Sequence, residues 1–189
     1  MRSRLTAGML LGMASVLTGV GIAKLERSTR MDSVIVDASA DETEIDALLS
    51  DLYACISGAV GQERDWETFD RVFAEDARMA AWFRQLDGTV AEMKMTPAEY
   101  KQRSGPMLVA SGFSEREVNR ELDIYGSIAH AFSTYRGDYT DAQGDAQAVE
   151  GINSIQLIKT ADGWKVHSLI WQQANPDLPV PDAYLPEGN

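Results

Sequence analysis

Of the two histidines in the chain, His130 and His167, only the first sits in a pattern that suggests chemistry. His130 alternates with Ile128 and Phe132 on a predicted strand, so the three share one face. A neutral imidazole in such apolar company can act as a general base or orient a ligand. A hydrogen-bonded core histidine is the plainer alternative. Arg120 shares the parity of Val118, Leu122 and Ile124, whereas Glu117, Asn119, Glu121 and Asp123 take the other face. If the turn at Tyr125-Gly126 carries a bulge, Arg120 and His130 become cross-strand neighbours suited to a carboxylate or phenolate. A regular two-residue loop sets them on opposite faces, and Arg120 then reaches past the sheet edge to an acid. Asn153 shares a face with Val149, Ile155 and Leu157, and an amide in that setting needs a partner: ligand, water or backbone. Tyr53 either turns its hydroxyl into a pocket or reaches water at the rim. Trp82 and Phe83 alternate on a strand, so one faces an interior and the other packs outside. Trp82 is taken as the pocket residue.

Other chemistries lack support. The two histidines are 37 positions apart, and no spacing of His, Cys and Glu suits zinc, so no metal is expected. Asp138, Asp141 and Asp145 crowd one segment without the spacing or closing glutamate of a calcium loop. There is no phosphate-cradling glycine loop, no nucleophile elbow and no Cys-His pairing, and no cofactor is expected. The single cysteine, Cys55, cannot form a disulfide within the chain, and its place in an apolar helix stripe suits a buried, inert thiol. A net charge of −12 removes any basic footprint for nucleic acid and favours a small neutral or cationic partner.

The elements that must position these residues are largely readable. Residues 41–60 place Ile45, Leu48, Leu49, Leu52, Tyr53, Ile56 and Val60 on one helical face, with Ser39 or Asp41 as the cap. A short helix starts at Asp65 and sets Trp66, Phe69, Val72 and Phe73 on one side, a core arrangement. Asp87-Gly88 marks a hairpin between strands at 78–86 and 89–95. Thr96-Pro97-Ala98-Glu99 is a capping box with proline at the first helical position, opening a third helix that should stop near Gly105-Pro106. Two-residue alternation then predicts strands around 117–124 and 127–135, a polar loop at 137–147, and strands at 149–159 and 164–173 joined at Asp162-Gly163. That last turn, read as a two-residue loop, places His167 and Trp171 on the face opposite Asn153. Helices followed by antiparallel strands make an α+β domain, and a strongly curved sheet with helices on one face leaves a conical cavity.

The N-terminus reads as a targeting signal. Arg2 and Arg4 precede an uncharged run over residues 5–23, ending in the small-x-small site Gly21-Ile22-Ala23. The alternatives are an uncut anchor and a true start at Met31. The expected organisation is a signal peptide or anchor at 1–23, a linker at 24–40, one domain at 41–174 and a proline-rich tail at 175–189. The location is then periplasmic or secreted, or cytoplasmic if Met31 begins the chain.

The segments AHAFSTY (129–135), NSIQL (153–157) and GWKVHSLIWQ (163–172), run into the tail NPDLPVPDAYLP (175–186), resemble the C-terminal half of the nuclear transport factor 2-like superfamily. The likeness extends over about residues 41–186, closest to a SnoaL-like or lumazine-binding bacterial branch without a characterised function. The resemblance implies a cone-shaped fold around one pocket, with a homodimer through the outer sheet face. The superfamily includes ketosteroid isomerase, scytalone dehydratase and polyketide cyclases alongside non-enzymes, so the fold leaves the function open. Against the isomerase, Tyr53 matches the oxyanion-hole tyrosine and Asn153 the second oxyanion donor, while the general base falls on Ala81, which cannot take a proton. The resulting expectation is binding of a small apolar or aromatic molecule by Tyr53, Trp82, Arg120, His130 and Asn153. One alternative is a lyase, isomerase or cyclase with His130 as general base. The other is an interaction domain whose pocket is plugged by its own side chains.

Overall fold

Local hydrogen-bonding chemistry starts the helices where the sequence indicates. In this computed structural model, which describes residues 39–85 and 87–186, the first helix (α1) covers residues 39–55. The Asp65 carboxylate accepts the Thr68 amide at 2.9 Å and caps α2, Trp66–Val72. Thr96 and Glu99 exchange both bonds of the predicted capping box and open α3, Pro97–Ser111. The signal, most of the linker and the last three residues lie outside the described residues.

Several boundaries differ from expectation: the second helix ends at Val72, so Phe73, expected on it, instead opens the first strand, which starts five residues before 78. Helix α1 ends at residue 55, so Val60 lies in the following turn. Helix α3 runs through Gly105-Pro106 and stops only at Gly112, whose left-handed backbone (φ 63°) lets its N–H reach the Leu108 carbonyl. Gly105 serves close packing there: a Cβ would stand 3.0 Å from the Trp66 ring.

Among the described residues, three helices pack on a six-stranded sheet of order β2-β1-β6-β5-β4-β3. The strands are β1 (Phe73–Arg84), β2 (Val90–Met95), β3 (Ser114–Tyr125), β4 (Ile128–Thr140), β5 (Ala146–Thr160) and β6 (Gly163–Gln173). β1 and β6 run parallel, and the other neighbours are antiparallel. The expected loop at 137–147 shrinks to five residues, because β4 continues to Thr140 and β5 starts at Ala146. Asp141 organises that turn by accepting the amides of Gln143 and Asp145.

Two bulges decide which side chains face inward. In β3, Glu117 pairs with Tyr135 and Asn119 with Thr134, leaving Val118 as the extra residue. In β6, Leu157 pairs with Val166 and Gln156 with Ser168, leaving His167 as the extra one. Each bulge exchanges the faces of the residues on either side of it. Glu117 therefore joins Arg120, Leu122 and Ile124 on the inner face, and Trp171 pairs directly with Asn153 instead of opposing it. The β5–β6 connection is the two-residue loop Ala161-Asp162, with Thr160 paired to Gly163.

The core lies between the helices and the inner sheet face, built on Ile45, Leu49, Phe69, Leu108, Ile155 and Leu157. Asp41 pins α1 to the sheet by accepting from the Lys159 ammonium and from Trp164 Nε1. On the outer face the tail folds back: Thr134 Oγ1 donates to the Tyr184 carbonyl at 2.7 Å, and the Tyr184 ring lies 5.0 Å from Phe132.

Candidate functional site

The inner face and the helices enclose a cavity of about 380 Å³, within the usual range for small-molecule sites. Leu52 and Tyr53 reach it from α1, Tyr100 and Met107 from α3, and Tyr135, Asn153 and Trp171 from the sheet. An open cavity of this size argues against a pocket plugged by its own side chains.

The residue that sequence reasoning missed is Glu115. It lines the cavity from β3, and burial pushes its carboxyl up to about 7, opposed by a hydrogen bond from Asn153. That bond, from Asn153 Nδ2 to Glu115 Oε1, is long at 3.4 Å. The local fold holds Glu115 firmly. Its amide donates to Ser57 Oγ at 2.8 Å, and the Ser57 hydroxyl also bonds the Tyr53 and Glu115 carbonyls, fastening the start of β3 to the end of α1. Two residues earlier, the Phe113 carbonyl accepts from the Gly58 amide and from Arg64.

Arg64 is itself 4% exposed. Its guanidinium donates to the carbonyls of Gln62, Gly58, Leu108 and Phe113, and burial holds its pKa below the ordinary arginine value. It thereby ties the α1–α2 turn to the end of α3 and the start of β3, segments whose Ile56, Leu108 and Phe113 line the cavity.

Tyr53 and Asn153 meet at the cavity wall. Asn153, 5% exposed, donates from Nδ2 to the Tyr53 hydroxyl at 3.0 Å. The Tyr53 oxygen lies 2.6 Å from Ser133 Oγ, and Ser133 donates to Glu117 Oε1 at 2.5 Å. Because the single Ser133 proton goes to the carboxylate, Tyr53 must be the donor to Ser133. The phenol proton thus points away from the cavity, which removes the oxyanion-donor role that the isomerase comparison implied. Burial also raises the Tyr53 pKa well above the usual phenol value.

The other predicted site residues lie elsewhere. His130 is on the outer sheet face, with Nε2 3.0 Å from Ser154 Oγ and its ring 6.0 Å from Phe132. The reason is register: the inward residues of β4 are Ala129, Ala131, Ser133 and Tyr135, and the turn at Gly126-Ser127 is a regular two-residue loop. His130 is thus not placed to act as base or ligand contact in the cavity. Arg120 faces inward but stands at the edge, paired with Asp46 of α1 and with Glu117 at 3.4 Å. Trp82 pairs with Gln172 on the outer side and borders a shallow groove with Lys94 and Ile170. Ala81 is buried in β1 opposite Trp171, so the base position implied by the isomerase holds only a methyl group. His167 is exposed at the β6 bulge, 3.7 Å from Asp76.

The architecture is an NTF2-like fold, α+β with a sheet that is not closed. An NTF2-like superfamily protein from Salmonella enterica matches with a TM-score of 0.58 at 14% identity, covering 80% of this chain and 98% of that one. An NTF2-like protein with a cystatin-like fold from Novosphingobium aromaticivorans matches at 0.56 and 16% identity, covering 80% and 91%. A candidate β subunit of an aromatic-ring-hydroxylating dioxygenase from the same organism matches at 0.53 and 14% identity, covering 77% and 99%. No protein-family model matches the sequence, and no curated protein does. At these identities the likeness concerns the fold.

Proposed function

We propose that the cavity binds a small, largely apolar or aromatic molecule and that Glu115 is the group that exchanges a proton with it. The observation that carries this reading is one carboxyl, the only one among the described lining residues, on a mainly aromatic and aliphatic wall, with burial pushing it up to about 7. A carboxyl so placed is populated both as acid and as base at neutral pH, the condition under which proton transfer to or from a bound molecule is fastest. Asn153 orients it, and Ser57 fixes its backbone. Any lyase- or isomerase-type chemistry in this cavity runs through Glu115 and not His130. The aromatic-ring chemistry named for one of the similar structures fits a cavity with this lining.

The test uses 2-naphthol, a neutral aromatic probe whose fluorescence shifts when its hydroxyl gives a proton to a neighbouring base. At pH 8, naphthol bound to the wild-type protein should emit as naphtholate, and naphthol bound to Glu115→Gln should emit as the neutral form. Identical emission from both proteins, or no binding to either, would sink the reading.

A further inference from the structure

Resting on the reading just given, we propose that the molecule this cavity takes is a small organic cation, of the aralkylammonium class. Among the described lining residues there is one carboxyl and no lysine, arginine or histidine. An anionic ligand would therefore meet no counter-charge and would lie against a carboxyl. A neutral ligand would leave that carboxyl either ionised without compensation or obliged to keep its proton. Only a cation completes the site.

The wall suits one in a second way. Tyr53, Tyr100, Phe113, Tyr135, Tyr139 and Trp171 all border the cavity, and aromatic faces attract ammonium groups, most strongly out of water. The rings of Tyr100 and Trp171 meet edge to face, their centroids 6.2 Å apart, so the two planes present differently oriented faces to the interior. The Glu115 carboxyl has spare acceptor capacity, since its hydrogen bond from Asn153 is 3.4 Å long. The two arginines of its own strand are already engaged, Arg116 by Asp138 at 3.0 Å and Arg120 by Asp46 and Glu117. Tyr53 from α1, Tyr100 from α3, Tyr135 from β4 and Asn153 from β5 face Glu115, with Glu117 two residues along β3; none of them supplies a positive charge. The net charge of −12 adds a long-range field that concentrates cations at the surface.

Three probes with one ring system separate the possibilities: 1-naphthylmethylammonium, 1-naphthalenemethanol and 1-naphthoate. Calorimetry at pH 7 should show the ammonium binding at least about tenfold more tightly than the alcohol, and the naphthoate most weakly. Because the cation draws Glu115 into its ionised form, binding should release roughly half a proton per site, read from titrations in buffers of different ionisation heat. Glu115→Gln should lose both the preference and the proton release while still binding the alcohol, which also shows that the variant is folded. An alcohol that binds wild type as tightly as the ammonium overturns the cationic class and leaves the cavity reading standing. An ammonium preference retained in Glu115→Gln overturns the assignment to this carboxyl. Failure of all three probes to bind overturns both readings.

Discussion

Replacing Glu115 by glutamine should make the protein more stable above neutral pH, although the substitution touches the proposed site. In the folded chain the Glu115 carboxyl holds its proton up to about 7, against about 4.5 for an ordinary glutamate, because ionising it costs desolvation that Asn153 only partly offsets. Between those values the folded state binds more protons than the unfolded one, so stability falls as pH rises. At about 1.4 kcal/mol for each tenfold change in proton affinity, the full difference is up to about 3 kcal/mol, reached above pH 7 and absent below about pH 4.5. Solvent in the cavity screens the charge and lowers that ceiling. Glutamine has nearly the same shape and no charge to desolvate. Urea unfolding of both proteins at pH 5, 6, 7 and 8 isolates the effect, since every other titrating group is common to the two. The variant should lead by less than about 1 kcal/mol at pH 5 and by about 2–3 kcal/mol at pH 8. Parallel pH profiles would refute the argument, because they would mean that Glu115 titrates as it does in the unfolded chain.

Four further outcomes follow from contacts already described. Arg64→Gln removes a guanidinium bonded to four carbonyls and should cost about 3 kcal/mol in urea or thermal unfolding. Ser133→Ala cuts Tyr53 off from Glu117 and should cost about 1–3 kcal/mol in the same measurement, while freeing the phenol proton to enter the cavity. Gly151→Ala would place a Cβ 2.3 Å from the Gln172 carbonyl and 2.7 Å from the Tyr135 hydroxyl, so it should both destabilise the protein and weaken naphthol binding by displacing a cavity residue. For the homodimer we propose through the outer sheet face, Ile170, 42% exposed there, is the natural probe: Ile170→Lys should shift the sedimentation coefficient toward monomer without changing the cavity.

Features set by a few neighbouring residues were legible in the sequence. The start of a short helix at Asp65, the Thr96–Glu99 capping box, the Asp87-Gly88 hairpin and the inward setting of Asn153 follow from local chemistry or an unbroken period. The faces of β3 and β6 were not legible, because the bulges at Val118 and His167 involve no glycine or proline that would mark them. Counting by twos from Leu122 puts Glu115 outside, and the site's principal ionisable group went unnoticed. The same counting favoured His130, whose apolar neighbours Ile128 and Phe132 belong to the outer face, where Tyr184 of the tail packs on Phe132. An apolar stripe on a two-sided sheet does not say which of its two covers it meets. Gly105-Pro106 misled for a related reason, since the packing of Gly105 against Trp66 is a contact between distant segments.

The bulge at Val118 gives the cavity a mode of change that needs no substitution. With Leu122 and Ile124 anchored in the core, drawing Val118 into the ladder would restore regular alternation and slip the preceding segment by one position. Glu115 and Glu117 would then turn outward, and Ser114 and Arg116 would take their places. A cavity built around an acid would become one bordered by a base, and its preferred guests would change sign. For a lineage built on this scaffold, the pairing register of β3 is therefore as heritable a determinant of ligand charge as the identity of any side chain.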